Sequence, residues 1–340
     1  MPPAMKSFFA SALLATIVIA SHPFSVTAQD TALPKAPKAV QSKTVAAKKI
    51  APAQIAPTEA NVAYGEHPRQ VLDFWKAKSD KPTPVLFYIH GGGWMAGDKA
   101  KVGNLDRYLH AGISVVSINY RYVSQAYDAG IMPPVKAPLH DAARALQFAR
   151  SKAGQWNLDK TRIAASGGSA GACSSLWLAF HDDLAEPESD DPIKRESTRL
   201  LCAAASGAQT TLDPKQMKEW TPNSRYGSHA FGIFKDTEKK YTQDFEAFLA
   251  KRDEIADWIA QYSPYALVTP DDSPVYLAFS APPALGQEQK DPTHSANFGV
   301  KLEERMNEVE VPCELSYPGA TNVQHASITD YLIAKLTAKD

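Results

Sequence analysis

The sequence predicts an α/β fold in which a largely parallel sheet is covered by helices on both faces. Strand-like and helix-like runs alternate along the chain, and such alternation produces right-handed crossovers between parallel strands. The strand-like runs are 69–75, 85–90, 113–120, 161–167, 201–207, 274–280 and 312–318, and the helix-like runs are 100–110, 138–153, 170–181, 294–308 and 326–338. Sheets of this type bind ligands beyond the carboxyl ends of their strands, so polar or glycine-rich motifs at those ends are candidates for a site.

Composition is that of a globular protein with one sizeable core. The chain has 340 residues, of which 44% are hydrophobic and 21% are charged. The formal net charge of −1 provides no overall field that would attract nucleic acid or an anionic membrane. We therefore expect no nucleic-acid partner.

The N-terminal region is typical of an exported protein. Residues 1–28 combine Lys6, an apolar core at 8–20 and a small-residue cleavage signal at 26–28, which predicts a secretory signal peptide. The apolar core is too short for a membrane span, so we expect no integral membrane segment in the mature chain. Residues 29–62 are rich in Ala, Pro and Lys and contain no aromatic side chain, which predicts a disordered linker. The folded domain is then expected over 63–340, in the periplasm or outside the cell.

Neither a disulfide framework nor a metal site is expected. The three cysteines, Cys173, Cys202 and Cys313, lie in apolar patterns and are predicted to be core residues. A catalytic Cys173, one helical turn after Ser169, is the weaker alternative. The histidines lack metal-ligand spacing, and the acidic run at 181–199 is predicted to be a solvated loop, with a divalent cation as the alternative.

A G-x-S-x-G pattern marks Ser169 as a candidate nucleophile. The sequence GGSAG at 167–171 follows the apolar run 163–165 and precedes a helix-like stretch. In a sharp turn between strand and helix, the glycines allow the chain to reverse, and the serine hydroxyl points out above the sheet. An ordinary glycine-rich turn is the alternative.

A second glycine motif, HGGGW at 90–94, ends the unbroken apolar run 85–89. Its bare backbone amides can approach a ligand closely. A carbonyl carbon attacked by Ser169 develops negative charge on its oxygen, and fixed N–H donors stabilise that charge. The candidate donors of this oxyanion hole are Gly91, Gly92 and Ala170.

With these two motifs the chain resembles the α/β-hydrolases, and it is similar to secreted carboxylesterases of the hormone-sensitive-lipase group and the feruloyl/acetyl-xylan esterase group. The resemblance runs from about Ala63 to the C-terminus, and it departs from the first group's usual pattern at Gly168 and Ala172. It implies a mostly parallel eight-stranded sheet flanked by helices, a triad in the order Ser, acid, His, and no metal or organic cofactor. The aromatic-rich segment 208–270 is expected to form a helical cap inserted after the sixth strand, next to the substrate.

The resemblance also implies where the triad partners lie. The acid follows the seventh strand, and Asp291 is the expected residue, with Glu288 as the alternative. The base follows the last strand, and His325 is the expected residue. His294 competes only through its proximity to Asp291, and its position at a helix start favours a packing role.

These expectations lead to an exported serine carboxylesterase that hydrolyses short acyl or aryl esters, with carbohydrate esters among the candidates. Because the histidine base must be neutral, the rate should fall on the acid side of pH 6 to 7. A serine peptidase of the prolyl-oligopeptidase type is one alternative, although 1–62 could not form its propeller domain. A non-catalytic binding protein of the same fold is the other alternative.

Overall fold

The computed structural model of the protein describes residues 55–338, and their organising element is one eight-stranded sheet. The strands are β1 Glu59–Ala63, β2 Val71–Trp75, β3 Thr83–Ile89, β4 Ser114–Ile118, β5 Leu158–Gly168, β6 Cys202–Ser206, β7 Val275–Ala278 and β8 Cys313–Ser316. Their order across the sheet is β1-β2-β4-β3-β5-β6-β7-β8. The β1–β2 and β2–β4 pairs are antiparallel and the other pairs are parallel. The predicted mostly parallel, eight-stranded architecture is confirmed, and the sheet is mixed.

Helices cover both faces of the sheet. In chain order they are α1 Leu105–His110, α2 Val123–Asp128, α3 Lys136–Ser151, α4 Ala153–Trp156, α5 Ala170–Phe180, α6 Pro214–Trp220, α7 Phe245–Ala250, α8 Ala256–Tyr262, α9 Pro264–Leu267, α10 Asn297–Glu308 and α11 Ile328–Thr337, with a short 3-10 helix at Ser228–Phe231. Alternate strand residues point to opposite faces, which separates the apolar interior into two layers. One layer joins α1 and α11 to the sheet, and the larger layer contains α3, α5 and α10. Within residues 55–338, no helix has the length and apolar character needed to cross a bilayer.

The N-terminal boundary of the folded region lies earlier than the sequence predicts. Strand β1 begins at Glu59, inside the predicted linker, and pairs with β2. Trp75 Nε1 donates to the Ile55 carbonyl at 2.9 Å, and Trp156 Nε1 donates to the Glu59 carboxylate at 2.8 Å. A half-exposed edge strand needs little apolar character, which explains why composition alone assigned it to the linker. The predicted signal peptide at 1–28 and linker residues 29–54 lie outside the described residues.

The segment between β6 and β7 contains four of the α-helices, α6 to α9, and the 3-10 helix, as the predicted cap requires. Its aromatic side chains pack mainly against one another. Phe231 stacks on Phe248 with ring centroids 5.4 Å apart, and both side chains are fully buried. Cys173 and Cys202 are buried as predicted, whereas Cys313 is half-buried.

The fold should lose stability in acid because burial disfavours the charged form of two of its histidines. Burial, the largest effect, lowers the pKa of His229 to about 4 and that of His140, which lies against Trp177, to about 4. An unfolded histidine titrates near 6.5, so the unfolded chain binds more protons between about pH 6.5 and 4. The free energy of unfolding should therefore fall as pH falls through this window, by up to roughly 3 kcal/mol for fully buried His229. Urea denaturation at pH 7.5, 6 and 5 measures this dependence.

In His140→Phe the free energy of unfolding should depend less steeply on pH than in the wild type. An unchanged slope of this free energy against pH would contradict the contribution of His140.

Candidate active site

Ser169 lies on a strained turn between β5 and α5. Its backbone has φ 54° and ψ −122°, a left-handed region that non-glycine residues rarely occupy. The turn is held by the Ser169 N–H, which donates to the Ser206 carbonyl at 2.9 Å, and by the Cys173 N–H, which donates to the Ser169 carbonyl at 3.0 Å. A Cβ atom at Gly171 would overlap the carbonyl oxygen of Ile89 at the end of β3. Only glycine therefore allows α5 to begin this close to β3, and the serine is carried above the sheet edge.

The imidazole that contacts Ser169 belongs to His294. The Nε2 atom of His294 lies 3.0 Å from Ser169 Oγ, and its Nδ1 atom lies 2.8 Å from Asp291 Oδ2. Both residues come from the loop that joins β7 to α10. Because the ionised Asp291 can only accept, Nδ1 carries the proton, and Nε2 is free to accept from the Ser169 hydroxyl. The three side chains thus form a directed chain of hydrogen bonds.

Asp291 is organised to receive this bond. Its Oδ1 atom accepts the backbone N–H groups of Thr293 and His294, each at 3.2 Å. Burial is the largest single influence and acts to raise the pKa of Asp291, but the hydrogen bond and charge of His294 and the two backbone N–H groups together lower it below its ordinary value. The carboxyl group is therefore ionised at neutral pH, although its side chain is 62% exposed.

His325, the expected base, lies elsewhere, and this placement corrects the sequence-based assignment. Its backbone N–H and ring Nδ1 both donate to Glu314, at 2.6 and 2.7 Å. Glu314 on β8 is in register with Tyr276, Ala204 and, on β5, Ser166. Three strand spacings separate β8 from β5, which amounts to about 14 Å across the sheet. The two hydrogen bonds with Glu314 hold the imidazole near β8, away from Ser169.

The sequence did contain a signal for His294. Asp291 and His294 are three residues apart in one turn, so a single local conformation can present both side chains. The resemblance to the family instead implies that the base follows the last strand. Glu314 gave a complementary signal, because a carboxylate within β8 could bind any histidine that follows. Glu288, the alternative acid, lines a separate cavity together with Lys218 and Arg225 of the cap.

The glycine motif after β3 lies beside the nucleophile. A Cβ atom at Gly91 would lie 3.5 Å from Ser169 Cβ and 2.5 Å from the Gly168 carbonyl oxygen, so the Gly91 backbone touches the turn. Gly92 has φ 102°. Among the described residues, the N–H groups of Gly91 and Gly92 donate no backbone hydrogen bond outside regular helices and strands. Ala170 begins α5, where its N–H belongs to the unsatisfied first turn of the helix. The Gly91 backbone and Ala170 therefore adjoin Ser169, and Gly92 follows Gly91 directly in the chain.

One cavity opens at Ser169, and a second cavity adjoins it. The first has a volume of about 440 Å³ and is lined by Ser169, His294, Asp291 and Ser280 among others. The second, which we call the tyrosine cavity, has a volume of about 410 Å³ and is lined by Tyr88, Tyr108, Asn104, Ile328 and Thr329 together with the ends of β5 and β6. Tyr88, Gly168 and Ser206 line both cavities, so the two cavities are neighbours.

No cluster of metal ligands occurs in the part of the chain that the structure covers. In the acidic loop 181–199, for which a divalent cation was the alternative, several carboxylates contact other groups of the protein. Asp191 pairs with Arg144 at 2.5 Å and Glu186 with Lys194 at 3.2 Å. Asp183 accepts the backbone N–H of Thr198 at 2.8 Å. These three carboxylates of the loop therefore have partners within the protein.

Comparison with known proteins gives a family match. A family model described as BD-FAE matches residues 72–282, which is more than half of the chain. Esterase LipC of Mycobacterium tuberculosis is 35% identical over 116 residues, or 32% of this chain and 27% of that protein. The probable isoprenylcysteine alpha-carbonyl methylesterase ICME of Oryza sativa subsp. japonica is 33% identical over 132 residues, or 37% of this chain and 30% of that protein. The alignments thus span less than a third of each of these two relatives.

Structural matches to solved proteins cover most of the chain. A truncated carbohydrate esterase from gut microbiota has a TM-score of 0.61 and 19% identity, and the match covers 85% of this chain and 99% of that one. An acetyl ester-xyloside bifunctional hydrolase from Caldicellulosiruptor lactoaceticus has a TM-score of 0.54 and 20% identity, with 73% and 76% covered. At these identities the likeness shows the fold, which is that of the α/β-hydrolases.

The backbone strain at Ser169 predicts a difference between two inactivating variants. Ser169→Gly and Ser169→Ala both remove the hydroxyl, but only glycine adopts a positive φ without steric penalty. Ser169→Gly should therefore have the larger free energy of unfolding, by about 1 kcal/mol. Urea denaturation of both variants measures this difference. A Ser169→Ala protein at least as stable as Ser169→Gly would contradict the strain.

Proposed function

Because the chain belongs to the BD-FAE family, we propose that it is a serine carboxylesterase in which Ser169, His294 and Asp291 form the catalytic triad. The observation that carries the proposal is the hydrogen-bonded chain from Asp291 Oδ2 through both ring nitrogens of His294 to Ser169 Oγ, at 2.8 and 3.0 Å. A serine hydroxyl is a weak nucleophile until a positioned base removes its proton, and the base in turn needs an orienting carboxylate. The triad retains the predicted order Ser, Asp, His with His294 as the base.

The reaction proceeds through an acyl-enzyme. Ser169 Oγ attacks the ester carbonyl carbon while its proton moves to His294 Nε2. The N–H groups of Gly91, Gly92 and Ala170 bind the oxyanion that forms. When the tetrahedral intermediate collapses, the bond to the alcohol oxygen breaks, and the alcohol leaves with the proton from His294. Water, deprotonated by His294, then attacks the acyl carbon. The bond to Ser169 Oγ breaks, the carboxylic acid leaves, and His294 returns the proton to Ser169 Oγ.

The alcohol and acyl parts of the ester are assigned to different cavities. The leaving oxygen takes its proton from His294, so the alcohol lies on the side of the cavity that His294 and Asp291 line. The tyrosine cavity is built from β3, α1 and α11, away from His294, and it suits the acyl group. Its volume of about 410 Å³ exceeds what an acetyl group needs, and its tyrosine rings offer contacts to an aryl acid.

We propose that the alcohol component of the substrate ester is a carbohydrate. This choice is motivated by the fold neighbours whose descriptions include a carbohydrate esterase and an acetyl ester-xyloside hydrolase. Polymer-linked esters lie outside cells, which agrees with the export proposed from the signal-peptide pattern of residues 1–28. We propose no metal or organic cofactor for the reaction.

Two histidine variants test the triad. His294→Ala should lower kcat on p-nitrophenyl acetate by roughly 10⁴-fold, comparable with Ser169→Ala, because residues of one triad act as a unit. His325→Ala should retain near wild-type kcat, since its ring interacts with Glu314, and it should instead lower the free energy of unfolding. Steady-state kinetics and thermal denaturation of the three variants measure these effects.

The matched acid pair is Asp291→Ala and Glu288→Ala, and only the former should lower kcat. Loss of activity in His325→Ala with retention in His294→Ala would refute our assignment of the base. Near-native turnover by folded Ser169→Ala would refute the serine mechanism itself.

The tyrosine cavity predicts acyl selectivity. Tyr88→Ala should lower kcat/KM for p-nitrophenyl 3-phenylpropionate about fivefold relative to that for p-nitrophenyl acetate, because an aromatic contact is worth roughly 1 kcal/mol. Tyr127→Ala, at an exposed tyrosine on α2, is the control and should leave the ratio at its wild-type value. An unchanged ratio in Tyr88→Ala would contradict the placement of the acyl group in this cavity.

A further inference from the structure

The carbonyl groups of the glycine motif after β3 all accept hydrogen bonds. The hydroxyl of Tyr120 donates to the His90 carbonyl at 2.8 Å and lies 3.3 Å from the Gly91 carbonyl. The His90 ring Nδ1 adds a bond to the Gly91 carbonyl at 2.7 Å. The Gly92 carbonyl accepts from the N–H groups of Met95 and Ala96, each at 3.0 Å. The Gly93 carbonyl accepts from His229 Nε2 at 2.9 Å.

This pattern fixes the direction of the amides. In a trans peptide unit the C=O and N–H groups point in opposite directions. The His90 carbonyl belongs to the same unit as the Gly91 N–H, and the Gly91 carbonyl belongs to the same unit as the Gly92 N–H. A side chain that holds these two carbonyls therefore also directs the two N–H groups assigned to the oxyanion. Tyr120 is the side chain whose hydroxyl reaches both carbonyls.

We propose that Tyr120 is a positioning residue for the oxyanion hole, which acts by fixing the peptide units that contain the Gly91 and Gly92 N–H groups. This inference rests on the proposed esterase function, since it concerns the charge that develops in that reaction. Preorganised donors stabilise a transition state because they need not reorient as charge forms. Glycine alone would leave these peptide units free to rotate, so an external anchor is needed.

A hydrogen bond to the carbonyl also strengthens the amide as a donor. Hydrogen bonds in a chain polarise one another, so a carbonyl that accepts makes the N–H of its own peptide unit more acidic. The Gly91 N–H thus receives polarisation chiefly from Tyr120, whose hydroxyl donates to the His90 carbonyl, and the Gly92 N–H also receives it from the bond between the His90 ring and the Gly91 carbonyl. The contribution appears only when the oxyanion forms, which means that it should affect kcat more than KM.

The surroundings of Tyr120 hold its hydroxyl in this role. The side chain is fully buried, and its ring stacks on the His90 ring with centroids 4.3 Å apart and planes 22° apart. Its own carbonyl accepts from Arg69 Nε at 2.8 Å. Burial raises the pKa of Tyr120 well above its ordinary value of 10, so the hydroxyl remains a donor at neutral pH.

The test compares two tyrosine-to-phenylalanine variants of the full chain. Tyr120→Phe removes the hydroxyl and keeps the ring that packs on His90. Tyr276→Phe is the matched control, because its buried hydroxyl also donates to a backbone carbonyl, that of His325, at 3.1 Å and away from Ser169. Thermal denaturation establishes that both variants are folded. Kinetics on p-nitrophenyl acetate and inhibition by phenylboronic acid, which forms a tetrahedral adduct with an active serine, provide the readouts.

Tyr120→Phe should lower kcat about tenfold with KM within about twofold of wild type, a smaller loss than removal of one oxyanion donor. The inhibition constant of phenylboronic acid should rise in parallel, whereas Tyr276→Phe should match wild type in both. Equal kcat and equal inhibition in the two variants of an active enzyme would overturn the role of Tyr120 and leave the esterase proposal intact. A wild-type protein without Ser169-dependent turnover would overturn both.

Discussion

The tight approach of α5 to the end of β3 is the constraint on which the site depends. It exists because Gly171 carries no side chain where a Cβ atom would overlap the Ile89 carbonyl oxygen. The helix can then begin directly after Ser169, whose backbone takes a positive φ of 54°. The same approach brings the N-terminus of α5 beside the glycine motif that follows β3. The proposed nucleophile and oxyanion donors therefore result from one packing contact rather than from two independent features.

The proposed base lies in the loop between β7 and α10, whereas the resemblance places it after β8. Asp291 binds two backbone N–H groups of its own loop and the ring of His294, so acid and base form one local unit. The segment between β8 and α11 is then free of a catalytic task. There His325 and Glu314 form a partly buried hydrogen-bonded pair whose side chains are 22% and 12% exposed, and this pair joins the loop to β8.

Much of this architecture could be predicted from the sequence, since unbroken apolar runs and glycine motifs at strand ends are local signals. Ser169 and the Gly91, Gly92 and Ala170 group follow from such signals. Asp291 depended on strand order, which the alternation of elements also indicates. His325 was wrong as the contact of Ser169, because the choice between two histidines depends on which carboxylate each one meets in space. The role of Tyr120 was equally inaccessible, since its hydroxyl meets carbonyls 29 and 30 residues away in the chain.

A crystal structure of the protein with phenylboronic acid bound tests the central claim most directly. The account predicts a covalent bond from boron to Ser169 Oγ, His294 Nε2 within hydrogen-bond distance of a boronate oxygen, and His325 still bound to Glu314. An adduct whose oxygen contacts the imidazole of His325, with His294 turned away, would contradict the account.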